Sequence, residues 1–355
     1  MRNLVVCCDG TWNTDTNQDE GELALTNVCK TFHAVDLVTN SPQQFSRYQA
    51  GVGTGGILDK VLGGAVGTGL QEDIRDCYLW LCSKYQPGDN IYLFGFSRGA
   101  FCARSLGGLI CKYGIIDFAA TQPNDPRSRS ELVATVYDKG YKKNHELQNS
   151  IPFYPNSDQI HFIGVWDTVG ALGVPNDKEV LNFFDVPDRY RFHDTKLSNQ
   201  VKHARHALAI DEMRGSFAPT LWTNDDPNLD MKQVWFAGVH SDVGGGYKEH
   251  GLSDCALKWM LDEAQALGLQ LYPRIVNTLR PDPLDILHDS YKGAMKALRS
   301  APRPVPNLDV ASDELSETVA VRRFNPTMTQ GFYRPTRQFT DEVKTIDVDI
   351  YARSH

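Results

Sequence analysis

Asp89-Asn90-Ile91-Tyr92-Leu93-Phe94-Gly95-Phe96-Ser97-Arg98-Gly99-Ala100-Phe101-Cys102-Ala103-Arg104 is the stretch on which the reading of the chain turns. Ile91 to Phe94 is a short apolar, aromatic run that predicts a buried strand; it breaks at Gly95 to Gly99 and continues as a helix-like run of small residues. Strand, turn and helix in that order are the setting of a nucleophile elbow. In such a turn the serine takes strained backbone angles, which only small neighbours such as Gly95 and Gly99 permit, and the Ser97 hydroxyl projects above the sheet edge. The helix behind it aims free N–H groups and the positive end of its dipole where an oxyanion would form. Ala100, Ala103, Gly107 and Gly108 let that helix sit close on the sheet. In a chain with 29 glycines the five-residue pattern alone arises easily by chance. The flanking strand and helix give it weight.

With 355 residues, 41% of them hydrophobic, the chain can bury a sizeable core. Length alone suggests two domains, but large α/β units reach this size. The expectation is one domain, 1–355, with insertions at about 121–156 and 171–230 and a C-terminal wrap from about 272 to 355. A net charge of -8 without any basic tract argues against a nucleic-acid binder. The start, Met1-Arg2-Asn3-Leu4, runs directly into a strand-like segment unlike a signal peptide, and no apolar run approaches bilayer length. Peripheral membrane contact stays open. Eight cysteines at no regular spacing read as small buried hydrophobes of a reducing, cytoplasmic compartment, not as a disulfide framework or a metal site.

Leu4 to Cys8 predicts a central strand delivering Asp9-Gly10-Thr11-Trp12-Asn13 to the carboxyl edge of the sheet, where open α/β sheets place their chemistry. One oxyanion donor follows the serine, here the Arg98 amide, and a second comes from a loop after an earlier strand, here the Thr11 amide, with Asp9 and Gly10 supporting. The alternative is an ordinary capped turn. Helical spacing marks Asn27 to Val38, and a short strand follows around Phe45 to Tyr48. Gly51-Val52-Gly53-Thr54-Gly55-Gly56 formally matches the dinucleotide fingerprint, yet it enters a further glycine-rich stretch instead of a helix, and no acidic residue for a ribose follows on a strand. Gln71 to Tyr85 then reads as an amphipathic helix closed by Pro87-Gly88.

Ile160 to Gly170 repeats the theme, an apolar strand ending in an acid. Asp167 is therefore the candidate to orient an imidazole, with Asp211 in reserve. The polar stretch 121–156 and the mixed stretch 171–230 read as insertions forming a pocket or lid, with Val201 to Asp211 expected as a helix over it. Gln233 to Tyr247 is the third such run, and its strand ends at His240 in a glycine-rich loop. Asp242 on that loop either supports its geometry or competes to orient the imidazole. The order Ser, Asp, His is that of the α/β hydrolases. No His-x-x-x-His or Cys-x-x-Cys spacing points to a metal. Leu252 to Leu267 predicts a core helix, Leu287 to Leu298 a short one, and Val343 to Ile350 a final alternating run.

Cys8-Asp9-Gly10-Thr11-Trp12-Asn13, Gly51-Val52-Gly53, Gly95 to Ala100 with Ala103-Arg104, Trp166 to Gly170, Ala209-Ile210-Asp211-Glu212 and Trp235 to Tyr247 together resemble an uncharacterised α/β-hydrolase family that includes the catalytic domain of type VI secretion phospholipase effectors. The resemblance covers most of residues 1–300. It implies a mostly parallel sheet with helices on both faces and a lid-like insertion, and a serine esterase acting on a small-molecule or lipid ester without a cofactor. By matched position, it implies Ser97 as nucleophile, Asp167 as acid and His240 as base. Ser316-Glu317-Thr318-Val319 stands where many relatives carry a histidine, so that segment lends no second imidazole. Two other readings remain at this stage, a catalytically inactive hydrolase fold serving as an interaction module and a nucleotide-binding protein using Gly51 to Gly56.

Overall fold

The computed structural model describes residues 1–39, 41–51, 65–122, 124–144, 147, 151–169, 196–223, 226, 228–292, 296, 300–301, 303, 313–327, 329–335 and 345–346. Val52 to Gly56 of the glycine fingerprint, Gly170, residues 171–195 of the expected lid and most of the final alternating run lie outside the described residues.

In chain order the elements are β1 (Asn3–Cys8), β2 (Gln18–Asp19), β3 (Glu22–Leu23), α1 (Asn27–Ala34), β4 (Gln44–Gln49), α2 (Ala65–Lys84), β5 (Asn90–Phe96) and α3 (Arg98–Tyr113). They continue with α4 (Pro126–Ala134), β6 (Ile160–Trp166), β7 (Val201–Ala209), β8 (Asp230–Phe236), α5 (His240–Gly244), α6 (Gly251–Ala266), α7 (Pro273–Val276), β9 (Asp313–Ser316), α8 (Glu317–Phe324) and β10 (Thr345–Ile346). Eight strands form one sheet in the order β10-β9-β8-β7-β6-β5-β1-β4, with parallel pairing throughout. Only β2 and β3 stand apart among the described residues, as a small antiparallel pair.

Strand alternation sorts the core into two layers. Leu4, Val6, Ile91, Leu93, Ile163 and Val165 face α2 and α3, packing on Ile74, Tyr78, Leu106 and Ile110. Their neighbours Val5, Cys7, Tyr92, Phe94, Phe162 and Trp166 face α1 and α6, packing on Val28, Leu257, Met260 and Leu261. Both faces of the central strands are thus apolar, which is why they read as continuous hydrophobic runs. The chain first steps from β1 to β4 on one side and then to β5 on the other, so direction reverses at the β1–β5 pair. Such a reversal of strand order is where open parallel sheets form a crevice at the carboxyl ends of their strands. Among the described residues no helix is long and apolar enough to cross a membrane.

Two expectations are corrected. Val201–Ala209, expected as a covering helix, is the central strand β7 between β6 and β8. Val201, Ala204, Ala207 and Leu208 mimic helical spacing, and the polar residues of the strand are accommodated by pairing: Arg205 reaches Glu263 on α6 at 2.6 Å and Asp230 at 2.9 Å. Residues 287–292, expected to begin a short helix, are irregular.

Candidate active site

Consecutive strands of the sheet bring the three singled-out side chains to one rim. Phe96 of β5 pairs with Trp166 of β6, and Trp166 pairs with Ala207 of β7. One residue on, the Ser97 N–H donates to the Trp166 carbonyl at 3.0 Å and the Asp167 N–H donates to the Ala207 carbonyl at 2.8 Å. Each residue is pinned to the next strand by its own backbone. Ser97 holds φ 57° and ψ -122°, and it caps α3 without a side-chain hydrogen bond. A non-glycine residue in that region costs about 1–3 kcal/mol and persists only where its surroundings enforce it. The enforcement is close packing: a Cβ at Gly95 would come within 2.7 Å of the Ala100 Cα, and one at Gly99 would overlap the Cys8 and Asp9 carbonyl oxygens. Helix α3 therefore lies directly against β5 and the β1 loop.

His240 opens α5 directly after the loop leaving β8. Its ring lies between Phe96, with centroids 4.6 Å apart, and Phe217, met edge-on at 5.0 Å. Nδ1 lies 2.5 Å from Asp167 Oδ2. Since Phe96 precedes Ser97, the contact sets the imidazole beside the elbow. Burial lowers the His240 pKa, and the Asp167 hydrogen bond and charge only partly oppose this, so the ring is neutral at neutral pH.

Asp167 is fully buried, with φ 44°. One oxygen accepts the Ala209 N–H at 3.0 Å, and both are gripped by Arg303, Nη1 to Oδ1 at 2.5 Å and Nη2 to Oδ2 at 2.7 Å. The same guanidinium donates to the carbonyls of Ala209 at 2.9 Å and Phe217 at 2.7 Å. Burial would raise this carboxyl, but the Arg303 charge and the hydrogen bonds from His240 and Arg303 outweigh it and hold it well below the usual carboxylate range. The acid stays ionised in spite of its burial.

The β1 loop supplies the opposite wall. A Cβ on Gly10 would come within 3.2 Å of the Ser97 Cβ, so the loop runs directly past the serine. Asp9 shapes it: Oδ1 accepts the Gly10 N–H at 2.7 Å, and Oδ2 accepts the hydroxyls of Thr26 at 2.6 Å and Tyr48 at 2.7 Å. Thr26 also caps α1 by accepting the Cys29 N–H. Burial pushes the Asp9 carboxyl up to about 6 against those three donors. Among the described residues the amides of Thr11 and Arg98 have no acceptor, and the Thr11 hydroxyl is buried without a partner.

The remaining sequence candidates take other places. Asp211 accepts the Gly238 N–H at 2.7 Å and the Tyr333 hydroxyl at 2.8 Å, bracing the loop before His240. Asp242 holds a different imidazole, that of His288, at 2.6 Å, and accepts the Val239 N–H at 3.0 Å. Arg214 is committed to Glu212 at 2.8 Å, and Glu212 in turn accepts the His240 N–H at 3.2 Å. Arg303 and His288 are the residues that sequence reasoning missed. Arg303 stands among prolines far along the chain with no local pattern, and His288 meets its partner 46 residues away.

A family profile described as "T6SS, Phospholipase effector Tle1-like, catalytic domain" matches residues 2–263. An uncharacterized protein of Saccharomyces cerevisiae is 28% identical over 253 residues, 62% of this chain and 33% of its own. The chain thus spans about a third of the length of that relative. Two solved structures are similar at TM-score 0.46: an uncharacterized protein from Pseudomonas aeruginosa, 18% identical over 77% of this chain and 48% of that one, and a Tle1 effector bound to the VgrG spike of the type 6 secretion system, 14% identical over 87% of this chain and 82% of that one.

Proposed function

Because the chain belongs to the type VI secretion phospholipase effector Tle1-like catalytic-domain family, we propose that it is a serine hydrolase of carboxylic esters, with lipid esters as its substrate class. Ser97 attacks the ester carbonyl while His240 takes its proton; with Nδ1 engaged by Asp167 at 2.5 Å, Nε2 is the nitrogen that serves as base. The amides of Thr11 and Arg98 receive the oxyanion, and Asp167 steadies the imidazolium. His240 then protonates the leaving alcohol, water attacks the acyl-enzyme with His240 again as base, and the acid product leaves.

The observation that carries this reading is the Ser97 backbone at φ 57° beside an imidazole whose tautomer a buried carboxylate fixes. Strain of that kind is expensive for a purely structural serine. Labelling of folded protein with a fluorophosphonate probe, compared between wild type and Ser97→Ala, tests it. An adduct that requires Ser97 is expected, and none on correctly folded wild type would overturn the reading.

A further inference from the structure

The stretch Ala209-Ile210-Asp211-Glu212 ends in a carboxylate that the proposed reaction leaves without a task. Glu212 is fully buried, and burial would raise its carboxyl, but the hydrogen bonds and charge of Arg214 outweigh this and hold it down to about 2. Oε1 accepts the Arg214 main-chain N–H at 2.9 Å and its Nε at 2.8 Å, and Oε2 accepts Arg214 Nη2 at 2.8 Å and the His240 N–H at 3.2 Å. The Ser290 hydroxyl donates to both oxygens, at 2.9 and 3.0 Å.

A buried ion pair is weak evidence of stabilisation, since apolar side chains of similar volume often serve a core as well. What distinguishes this pair is the residue it is tied to. Two ionised, buried carboxylates hold His240, Asp167 at the ring and Glu212 at the main chain, and each has its own guanidinium, Arg303 and Arg214. The Arg214 guanidinium also lies over the Phe217 ring, 3.5 Å from Cζ to centroid, and Phe217 meets the His240 ring edge-on at 5.0 Å. The two charges act on the imidazole in opposite senses: Arg214 disfavours the imidazolium and Glu212 favours it. Asp167 with Arg303 also bear on the ring, and Asp242, on α5 itself, is taken up by His288.

We propose that Glu212 is a positioning residue for His240, fixing the main chain of the base and offsetting the Arg214 charge so that the ring can hold the proton it takes from Ser97. The catalytic part of this rests on the reading of His240 as the base.

The second-order rate of Ser97 labelling by the fluorophosphonate, followed against pH, reads it out without a known substrate. Glu212→Gln keeps an acceptor for the His240 N–H and removes the charge. With Arg214 left unopposed the midpoint should move to lower pH, while the plateau rate above it changes by less than about 3-fold. Adding Arg214→Gln should bring the midpoint back to the wild-type value or above it, a recovery that a packing defect would not show. Glu212→Ala removes the acceptor as well and should lose a further 10-fold or so, about 10- to 100-fold in all, in plateau rate. An unmoved midpoint in Glu212→Gln, or equal plateaus in Glu212→Gln and Glu212→Ala, overturns the proposal. Should Glu212→Gln fail to fold, Glu212→Asp decides: it keeps the charge on a shorter arm that withdraws from the His240 N–H, so a wild-type midpoint with a plateau about 10-fold lower is expected, and an unchanged plateau counts against the proposal. An NMR titration of His240 in the Ser97→Ala background, its signal assigned by loss in His240→Gln, separates this from the hydrolase reading. There too Glu212→Gln should lower the midpoint. A Glu212-dependent titration without any labelling of wild type would overturn the reaction and keep the coupling of Glu212 to His240. Labelling of wild type with a titration indifferent to Glu212 would overturn the coupling and keep the reaction.

Discussion

Replacing Arg303 by methionine removes the counter-charge of Asp167 while keeping much of the side-chain volume. In wild type the carboxylate is fully buried and receives two bonds from Arg303, at 2.5 and 2.7 Å, besides those from His240 and Ala209. Removing one partner of such a pair strands the other, and costs about 3–5 kcal/mol. That is a large share of the total stability of about 5–15 kcal/mol expected of a folded domain. The pH dependence distinguishes this from a packing defect. Asp167 is held below its ordinary value, so its pairing contributes stability that is present above the unfolded carboxyl value of about 4 and lost as pH falls through the lowered folded one. In Arg303→Met only His240 and the Ala209 N–H still oppose burial, and the carboxyl rises. The penalty is therefore greatest near neutral pH and shrinks in acid, as the raised carboxyl of the variant takes up a proton that the wild-type one does not. Urea unfolding at about pH 7.5 and about pH 4 measures it. A parallel signature appears in catalysis: with Asp167 less neutralised, the imidazolium is better stabilised, and the acidic limb of kcat/KM moves to higher pH. Arg303→Lys should recover part of both effects, and a cycle with Asp167→Asn should give a coupling of about 1–3 kcal/mol. A loss under about 1 kcal/mol near neutral pH with an unmoved acidic limb would refute the positioning role.

Three further outcomes follow from the same geometry. Since burial lowers the His240 pKa and the base must be neutral to act, kcat/KM should rise with pH through a midpoint below the ordinary histidine value of about 6.5 and be level by about pH 7.5; a midpoint at or above about 7 would contradict this. Ser97→Gly should abolish probe labelling yet stabilise the fold by about 1 kcal/mol, because glycine occupies φ 57° without strain; a destabilised variant in thermal unfolding would argue against strain at the elbow. Within α3, Gly99→Ala should be destabilised by more than about 3 kcal/mol, since its Cβ would overlap backbone carbonyls, whereas Gly107→Ala, meeting only side chains at 3.5 and 3.7 Å, should change stability by less than about 1 kcal/mol. Equal effects in urea titrations would mean that helix and β1 loop are not in close contact.

The strands carrying the site are legible because each is buried on both faces and is followed within a few residues by a polar one, Asp9, Ser97, Asp167 and His240. Leu4 to Cys8, Ile91 to Phe94, Ile160 to Trp166 and Val234 to Phe236 all fall in strands of one parallel sheet. Chain order and spatial order agree from β5 to β8, so side chains at successive strand ends become neighbours without any knowledge of the loops. What escapes is whatever depends on a distant partner. In β7, Lys202, His203, Arg205 and His206 interrupt the apolar pattern, and only pairing with Asp230 and Glu263 makes the strand intelligible. Nothing near Arg303 announces a buried ion pair, as Asp167 lies 136 residues earlier. By sequence Asp242 competes with Asp167 for His240, and it is removed from contention only because His288 folds back onto it.

Strand order also bears on how the protein is made. From β5 onward each strand adds to the edge its predecessor left open, through β6, β7, β8, β9 and β10. During synthesis, where folding proceeds from the N-terminus, a ribosome paused after Trp166 would hold a half-sheet whose bare margin is β6, with Phe162 and Trp166 still awaiting helix α6. Such an intermediate is adhesive and inert: it has Ser97 but neither Asp167 nor His240. Chaperone demand should therefore peak there, before any ester could be cut.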